Sequence, residues 1–354
     1  MQVHQFHPTL SYGDAISNQI QSLQHLLRRM GHRSEVFCEQ PPLYFNGRAV
    51  QVAQYVRYTS PGNVLLLHFS LGYSPEVIAW LERTPDRKIL VYHNVTPHTY
   101  FAAVNEVYLE AAQVGREQLG RLRALTEAGW GDSTFNCQEL AERGWTRLGV
   151  LPIIFDPRRY AVRPDRQVLK RWQGGANVLF VGRVSPNKRL EDLVLTFYYL
   201  KRVRPDARLF LVGSARGMER YLEFLQALAK RLGLSDIVFT GHVSTEQLAA
   251  YYRCASVYLS MSEHEGFGVP LLECMHFGVP IVAYKVAAVP ETLGGSGVLL
   301  TRKDYSRVAE LIGLLGEDEG LRAKIVVRQR ERLEAFLPGR VQEQLHKLLQ
   351  DLAA

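Results

Sequence analysis

The chain has 354 residues, of which 47% are hydrophobic and 22% charged, a composition typical of a globular protein long enough for two domains. It lacks an apolar run of roughly twenty residues, which argues against a helical membrane span. The formal net charge is +7, and residues 1–160 hold 15 Lys or Arg against 14 Asp or Glu. Most of the excess therefore follows residue 160, and we predict no nucleic-acid partner.

Cysteine spacing and the first residues bear on cofactors and location. The four cysteines lack CxxC spacing, which predicts free thiols in a reducing compartment. No cluster with metal-ligand spacing is visible, and the acidic run at 317–319 is typical of a solvated loop or a helix start. The opening MQVHQFHPTL has neither the charged nor the apolar region of a signal peptide. We therefore expect a cytoplasmic protein that uses no metal.

The first half alternates strand-like apolar runs with amphipathic helical stretches, which predicts an α/β architecture. Gly13 lies in a turn between a predicted strand and a long helix, where a missing side chain would let the backbone approach a ligand. Asp14 and Ser17 equally suit ordinary roles as helix caps. Downstream, KILVYHNVTP predicts a strand ending near His93, although a lone histidine is more often structural than catalytic.

A polar, proline-bearing stretch at 157–172 follows the apolar VLPIIF and predicts the boundary between two domains. We place an N-terminal domain at 1–160 and a C-terminal domain at 161–337. Residues 338–354 have the periodicity of an amphipathic helix.

Two cations open the second half. The stretch NVLFVGRVSPNKRLEDLVLTF (177–197) predicts a strand, a polar turn and a helix. Arg183 lies at the end of this strand and Lys188 in the turn, where both could bind a diphosphate. A pair of cations on a surface loop is more often simply solvated, so these two residues alone are weak evidence.

Glycines and their neighbours follow two later predicted strands. The residues concerned are Gly213, Gly241, His242 and Val243. Tight strand-to-loop turns would explain these glycines.

The most informative stretch is EGFGVPLLE (265–273), which follows a predicted buried strand and starts a helix with Pro270 near its beginning. Glu265 and Glu273 are expected to face one crevice, where ionised carboxylates accept hydrogen bonds from vicinal sugar hydroxyls. Backbone amides at the helix start favour a phosphate or a sugar oxygen. The residues that would present them are Phe267, Gly268 and Val269. A helix start decorated with favourable acids is the alternative interpretation.

The second half resembles that of the retaining glycosyltransferase family 4, whose GT-B fold has two Rossmann-like βαβ domains facing across a cleft. The resemblance is carried by VGRVSPNKRLEDLV, LFLVG, IVFTGHVSTEQLAAYYRCASVYLSMSEHEGFGVPLLECMHFGVPIVA and VPET. The first half resembles the family in SYGDAISNQIQSLQHLLRRMGH, VYHNVTP, GDSTFNCQELAERGW and VLPIIFD. In such a fold, the helix at 338–354 is expected to cross back to the first domain.

The resemblance implies a hexose transfer from a nucleoside-diphosphate sugar, of UDP or GDP type, with retained anomeric configuration and no further cofactor. Glu273 would hold the ribose and Glu265 the donor sugar, while Arg183 and Lys188 stabilise the leaving diphosphate. His93 would point at the donor sugar, and His68 and His98 are less favoured because neither aligns with that motif. The remaining donor-binding positions would be Gly13, Asp14, Gly213, Gly241, His242, Val243, Phe267, Gly268 and Val269.

The acceptor is expected to be a glycan, a lipid-linked sugar or a small molecule. Membrane-associated relatives present a basic patch to the bilayer, and two arginine clusters could supply one, although both also suit ordinary solvated helix faces. They are Arg28, Arg29 and Arg33, and Arg116, Arg121 and Arg123.

Other functions on the same scaffold stay open. A sugar-nucleotide epimerase, a phosphorylase, or a non-catalytic protein that binds sugar nucleotides would carry the same donor-binding features. A nicotinamide oxidoreductase is disfavoured, because no GxGxxG turn follows the first predicted strand.

Overall fold

The computed structural model describes residues 2–11, 13–42 and 49–353, which form two compact units. The first unit consists of the described residues of Met1–Thr99, Val107–Asp156 and Phe336–Ala354. The second consists of Tyr100–Glu106 and Pro157–Ala335. The chain thus enters the second unit at Pro157, slightly ahead of the position expected from sequence, and also contributes a short early segment to it.

The described residues contain two parallel sheets. Their strands are β1 Val3–Phe6, β2 Val36–Cys38, β3 Ala49–Gln51, β4 Val64–Phe69, β5 Arg87–Tyr92, β6 Ala128–Gly131, β7 Leu148–Val150, β8 Asn177–Val181, β9 Arg208–Val212, β10 Ile237–Gly241, β11 Val257–Ser260, β12 Ile281–Tyr284 and β13 Val298–Leu300.

Helices connect most of these strands, as is usual for parallel pairing. They are α1 Ala15–Arg29, α2 Pro75–Arg83, α3 Glu106–Leu125, α4 Thr134–Glu142, α5 Arg166–Trp172, α6 Leu190–Val203, α7 Glu219–Arg231, α8 Thr245–Cys254, α9 Val269–Phe277, α10 Val289–Leu293, α11 Tyr305–Glu317, α12 Glu319–Leu333 and α13 Pro338–Ala353. Short 3₁₀ segments lie at Val52–Arg57, His98–Phe101, Pro157–Tyr160, Pro186–Lys188 and Glu334–Phe336. Among the described helices, none combines the length and the apolar character of a membrane span.

The first unit has a sheet of strand order β3-β2-β1-β4-β5-β6-β7. All six residues of β4, VLLLHF, are buried, as expected for a central strand with both faces covered. The C-terminal helix α13 belongs to this unit and contributes Val341, Leu345 and Leu349 to its core. Their spacing of four places them on one helical face, where they join Leu23 and Leu27 of α1 in the same cluster.

The second unit has a sheet of strand order β10-β9-β8-β11-β12-β13. Strand order reverses between β8 and β11, just as it reverses between β1 and β4 in the first unit. Ligands of open α/β sheets bind beyond the carboxyl ends of the strands at such reversals. The loops that follow β8 and β11 are therefore the first place to search for a site in the second unit.

Candidate functional site

An ion pair joins the two loops at the reversal of the second sheet. Lys188 follows β8 and Glu265 follows β11, and these strands are hydrogen-bonded neighbours. Lys188 Nζ lies 2.7 Å from Glu265 Oε1, and the two side chains are 19% and 16% exposed. The pair is thus partly buried and still reachable by a ligand. It brings together two residues that the sequence analysis had selected independently.

Buried hydrogen bonds fix the backbone around this pair. The Asn187 side chain is buried, and its Nδ2 donates to the carbonyl of His264 at 3.2 Å. In return, the amide of Glu263 donates to the carbonyl of Asn187 at 2.9 Å. The Ala288 amide donates to the carbonyl of Glu265 at 3.2 Å. The two loops therefore hold Lys188 and Glu265 in register with each other.

A second charged cluster lies beside the Lys188–Glu265 pair. Asp192, at the start of α6, is buried, and its Oδ2 lies 2.7 Å from Lys303 Nζ. Lys303 Nζ also lies 2.8 Å from Glu263 Oε1. Arg189 Nε lies 3.5 Å from each of these acids. Arg189 has a left-handed backbone with φ of 52°, a conformation that costs energy in a residue other than glycine. The acids of this cluster compensate its cations, so the loops pack without an uncompensated buried charge.

Arg183 takes a different position from Lys188. Its exposed guanidinium donates through Nη2 to the carbonyl of Arg216 at 2.8 Å, in the loop that follows β9. The two cations predicted to act together thus have different protein partners in this structure. Their joint action on a diphosphate stays a prediction.

Glu273 differs from Glu265 in its surroundings. It is only 7% exposed, and both carboxylate oxygens accept hydrogen bonds from tyrosines: Oε1 from the Tyr160 hydroxyl and Oε2 from the Tyr252 hydroxyl. Burial raises the pKa of Glu273, while the two tyrosine hydrogen bonds act in the opposite direction. Two phenols therefore cover the Glu273 carboxylate in this structure, and its contact with a ribose stays a prediction.

Aromatic packing holds the two phenols in place. The Tyr252 ring stacks on Phe277 with a centroid distance of 4.9 Å and an interplanar angle of 5°. The Tyr160 ring meets Phe277 edge-on at 5.6 Å. Sequence reasoning selected neither tyrosine. No local signal could have done so for Tyr160, because 113 positions separate it from Glu273.

The start of α9 needs a glycine for conformational reasons. Gly268 precedes the helix with φ of 94°, and a Cβ there would lie 3.0 Å from the Leu271 side chain. Phe267 is buried, and its carbonyl accepts a hydrogen bond from Thr292 Oγ1 at 2.7 Å. Val269 is the first residue of α9. The predicted donor contacts of these backbone groups are untested.

Gly213 is required by strand packing. A Cβ there would lie 1.9 Å from the carbonyl oxygen of Gly182, which no rotamer change could relieve. The Gly213 amide donates to the carbonyl of Gly241 at 3.1 Å, so the two predicted glycines touch each other. These contacts agree with the strand-turn interpretation. His242 is exposed and Val243 is half-buried.

In the first unit, Asp14 caps α1. Its Oδ2 accepts hydrogen bonds from the backbone amide and the hydroxyl of Ser17, both at 2.9 Å. This is the capping role that sequence allowed as an alternative to ligand binding. Gly13 is exposed and has φ of 76°, which favours glycine.

The residue His93 is half-buried, and its side chain is only 2% exposed. Its Nδ1 lies 2.8 Å from Asp132 Oδ2, and its Nε2 lies 2.8 Å from His68 Nδ1. Both ring nitrogens thus have protein partners in this structure, and the contact of His93 with a donor sugar stays a prediction. His68, which sequence disfavoured, is one of these partners.

The turn after His93 is held by a second set of polar contacts. Asn94 has φ of 72°, and its Nδ2 donates to Asn136 Oδ1 at 3.0 Å and to Glu139 Oε2 at 2.8 Å. The Tyr92 hydroxyl donates to the same Glu139 oxygen at 2.9 Å. Arg116 pairs with the other oxygen of Glu139. Asn136 and Glu139 thus support the backbone at the carboxyl end of β5.

Three arginines considered for membrane contact are in ion pairs. Arg28 pairs with Glu35, Arg116 with Glu139, and Arg121 with Glu82. These acids reduce the net charge that the helix faces would offer to a bilayer. Contact with a membrane stays a prediction.

Metal and thiol chemistry can be checked among the described residues. Within 2–11, 13–42 and 49–353, no group of three or more His, Cys, Asp or Glu side chains could hold a metal ion. None of the four cysteines, all within the described residues, forms a disulfide: Cys38, Cys137 and Cys274 are buried, and Cys254 is half-buried.

Residues 163–332 match the sequence model of the family Glycosyl transferases group 1. A D-inositol 3-phosphate glycosyltransferase of Segniliparus rotundus is 37% identical over 150 residues, which are 41% of this chain and 33% of that enzyme. A GDP-mannose-dependent alpha-(1-6)-phosphatidylinositol monomannoside mannosyltransferase of Mycolicibacterium smegmatis is 31% identical over 182 residues, 48% of this chain and 47% of that enzyme. The matched stretches thus span less than half of these curated relatives.

The fold is similar to that of Anabaena HepE, solved in complex with UDP-glucose. The structural alignment covers 99% of this chain and 100% of that chain, with a TM-score of 0.78 and 17% sequence identity. At this identity the likeness concerns the fold alone, which is the predicted GT-B fold with two parallel-sheet Rossmann-like units. The match over residues 163–332 shows that this part of the chain, in the second unit, is similar to the family Glycosyl transferases group 1.

Proposed function

We propose that the chain is a retaining glycosyltransferase, which moves a hexose from a nucleoside-diphosphate sugar to a hydroxyl acceptor. The acceptor is a glycan, a lipid-linked sugar or a small molecule. The observation that carries the proposal is the Lys188–Glu265 pair, which joins the loops after β8 and β11 where strand order reverses. The match of residues 163–332 to the family Glycosyl transferases group 1 supports the same class of reaction.

The ion pair has the chemistry needed for a donor with a diphosphate and a sugar. A diphosphate competes with Glu265 for Lys188, because both are anions that accept charge-assisted hydrogen bonds. When Lys188 turns to the diphosphate, the Glu265 carboxylate can accept hydrogen bonds from the sugar hydroxyls instead. One ligand with both groups therefore satisfies both side chains, whereas inorganic phosphate would satisfy only Lys188.

Two known proteins support a nucleoside-diphosphate sugar as donor. The mannosyltransferase of Mycolicibacterium smegmatis is named as GDP-mannose-dependent. Anabaena HepE was solved with UDP-glucose. The two donors share a diphosphate bonded to a hexose and differ in the base, so we propose a donor of UDP or GDP type and test both.

We propose a front-face reaction without a protein nucleophile. The bond between the anomeric carbon and the donor phosphate oxygen breaks, and the acceptor oxygen forms the new glycosidic bond on the same face. The departing phosphate oxygen takes the acceptor's proton, so charge and atoms balance. Lys188 and Arg183 stabilise the negative charge that grows on the leaving diphosphate. Retaining glycosidases instead use one of two carboxylates as a nucleophile.

The test begins with thermal shifts of the full chain in UDP, GDP, ADP, TDP, CMP and NAD. A ligand that binds only the folded state raises its melting temperature, and Glu273→Gln should reduce the shift if Glu273 holds the ribose. The labelled sugar nucleotide with the same base is then incubated with panels of sugar, inositol phosphate and lipid-linked acceptors. We expect a product with the donor's anomeric configuration by NMR.

Other outcomes would contradict the proposal in distinct ways. Epimerised sugar nucleotide formed without an acceptor indicates an epimerase. Transfer with inverted configuration contradicts the front-face reaction. Nucleotide binding without transfer to any acceptor class indicates a binding protein, and a shift with NAD alone indicates an oxidoreductase.

A further inference from the structure

Four adjacent strands of the first unit each contribute one polar side chain to a buried row. Gln5 lies in β1 and His68 in β4, while His93 follows β5 and Asp132 follows β6. Gln5 Oε1 lies 3.0 Å from His68 Nε2, His68 Nδ1 lies 2.8 Å from His93 Nε2, and His93 Nδ1 lies 2.8 Å from Asp132 Oδ2. All four side chains are buried. The row crosses the carboxyl ends of the central strands.

The hydrogen-bond pattern fixes where the protons lie in the first half of this row. Gln5 Nε2 donates to the carbonyl of Ile20 at 3.1 Å, which leaves Gln5 Oε1 as the acceptor toward His68. His68 Nε2 must therefore carry a proton. Burial holds the pKa of His68 well below its ordinary value, so the ring is neutral and Nδ1 accepts. It follows that His93 Nε2 carries a proton and donates it to His68.

The second half of the row shares one more proton. His93 Nδ1 faces both oxygens of Asp132, at 2.8 and 3.0 Å. The shared proton resides either on His93 Nδ1 or on the Asp132 carboxyl, and the pair is neutral overall in both cases. Burial raises the pKa of Asp132, and the neighbouring His93 acts in the opposite direction. A neutral pair avoids the high cost of an isolated charge in a solvent-excluded position.

Other titratable and charged groups lie around this row of four side chains. His7 and Asp14 approach from the segment after β1, and burial lowers the pKa of His7. On the far side, Glu139 and Arg116 form an ion pair that supports the turn at Asn94. That turn has a backbone strained by φ of 72°, which persists only where the surroundings determine it.

We propose that Asp132 and His68 are positioning residues, which hold the His93 ring through both of its nitrogens and thereby fix the turn at His93 and Asn94. The turn lies at the carboxyl end of β5, the edge of the sheet beyond which ligands of open α/β folds bind. Any effect of these two residues on turnover rests on the proposed glycosyl transfer, whereas the hydrogen-bonding state of the His93 ring does not depend on it. Asp132 and His68 act through His93 and touch no reacting atom.

The ring state is tested first, by ¹⁵N NMR of the full chain with labelled histidine, assigned with His68→Gln and His93→Gln. We expect His68 to stay neutral with its proton on Nε2 between pH 6 and 9. His93 Nε2 should stay protonated over the same range. A His93 ring that leaves Nε2 unprotonated would overturn the proposal.

Kinetics of Asp132→Asn and Asp132→Ala then test positioning. Asparagine can donate to His93 Nδ1 and preserve the geometry without a charge, whereas alanine leaves that nitrogen without a partner. We expect kcat to fall on the order of a hundredfold in Asp132→Ala and by less than about threefold in Asp132→Asn, with similar donor KM values. His68→Gln, which keeps both an acceptor and a donor, should resemble Asp132→Asn.

The outcomes distinguish a failure of the positioning proposal from a failure of the proposed glycosyl transfer. An Asp132→Asn variant that is folded and as slow as Asp132→Ala would show that the acid itself is required and that holding the ring is not sufficient, which would overturn positioning. If wild type binds nucleotide but transfers no sugar, the proposed function fails and the NMR result alone decides the ring state. Full activity of a folded His93→Ala variant would overturn the proposal with the function intact.

Discussion

The hydroxyl of Tyr160 donates a hydrogen bond to Oε1 of Glu273, across 113 positions of sequence. If Glu273 binds the ribose of a donor, the ribose hydroxyls compete with this phenol and with that of Tyr252. We therefore expect the Tyr160→Phe variant to bind nucleotide about fivefold more tightly than wild type, which corresponds to the net free energy of one hydrogen bond. The nucleotide is the one that raises the melting temperature of wild type. Isothermal titration calorimetry measures this affinity.

Tyr199→Phe is the matched control for this prediction, because Tyr199 is partly exposed on α6. It should leave affinity unchanged. Weaker binding in Tyr160→Phe would mean that the phenol contacts the ligand instead of competing with it.

Burial makes Glu273 a source of pH-dependent instability. Because burial raises its pKa above the ordinary 4.5, the folded state retains a proton that the unfolded chain has released. Between 4.5 and the raised pKa, the contribution of this group to the free energy of unfolding falls as pH rises. We expect Glu273→Gln to gain stability relative to wild type between pH 5 and pH 8, measured by urea denaturation. Parallel pH profiles for the two proteins would contradict this expectation.

Lys188 tests the site that carries the proposed function. Removing its ammonium should lower kcat by about tenfold or more, because it takes away a cation aimed at the leaving diphosphate. We expect Arg183→Ala to lower kcat as well. Lys201→Ala is the control, because Lys201, on α6, forms a similar ion pair in which its Nζ lies 2.8 Å from Asp236 Oδ2. Wild-type turnover in Lys188→Ala and in Arg183→Ala would contradict the phosphate assignment.

Gly213 is a test of strand packing. An alanine Cβ would lie 1.9 Å from the Gly182 carbonyl oxygen, so the backbone must shift. We expect Gly213→Ala to reduce the free energy of unfolding by about 2–3 kcal/mol. Gly313→Ala, inside α11 with no heavy atom near the added carbon, should instead be neutral or stabilising. Equal effects in denaturant titrations would refute the steric argument.

His4 predicts sensitivity of the first unit to acid. Burial lowers its pKa from 6.5 to about 4, and its Nδ1 accepts a hydrogen bond from the Glu35 amide at 3.2 Å. Between these two values the unfolded chain binds a proton that the folded chain does not, so the free energy of unfolding falls as pH falls. We expect the melting temperature of wild type to decrease from pH 6.5 to 4.5, and His4→Gln to flatten this slope.

His346→Gln, at an exposed position of α13, should leave the acid slope unchanged. If the melting temperature of His4→Gln depends on pH as that of wild type does, other groups cause the acid sensitivity, and buried His68 is the first candidate.

Local chemistry in the sequence determined the parts of the fold that depend on neighbouring residues. The apolar run before EGFGVPLLE became β11, the glycine before Val269 took a left-handed conformation, and α9 began there. Asp14 became a helix cap, one of the two roles that its position allowed. These features follow from backbone preferences and side-chain reach within a few residues. The two cations and Glu265 could be selected because strand ends in an α/β sheet share one edge.

Only the tertiary structure decided which side chains meet. His93 and Asp132 follow residues that are paired in the register of β5 and β6, Tyr92 and Gly131, so their contact depends on that register. Tyr160 covers Glu273 because an early turn of the second unit packs against α9, which no local pattern encodes. Sequence thus determined which groups are available at the strand ends. Register and packing determined that Lys188 faces Glu265, while the side chains of His93 and Glu273 are buried with protein partners.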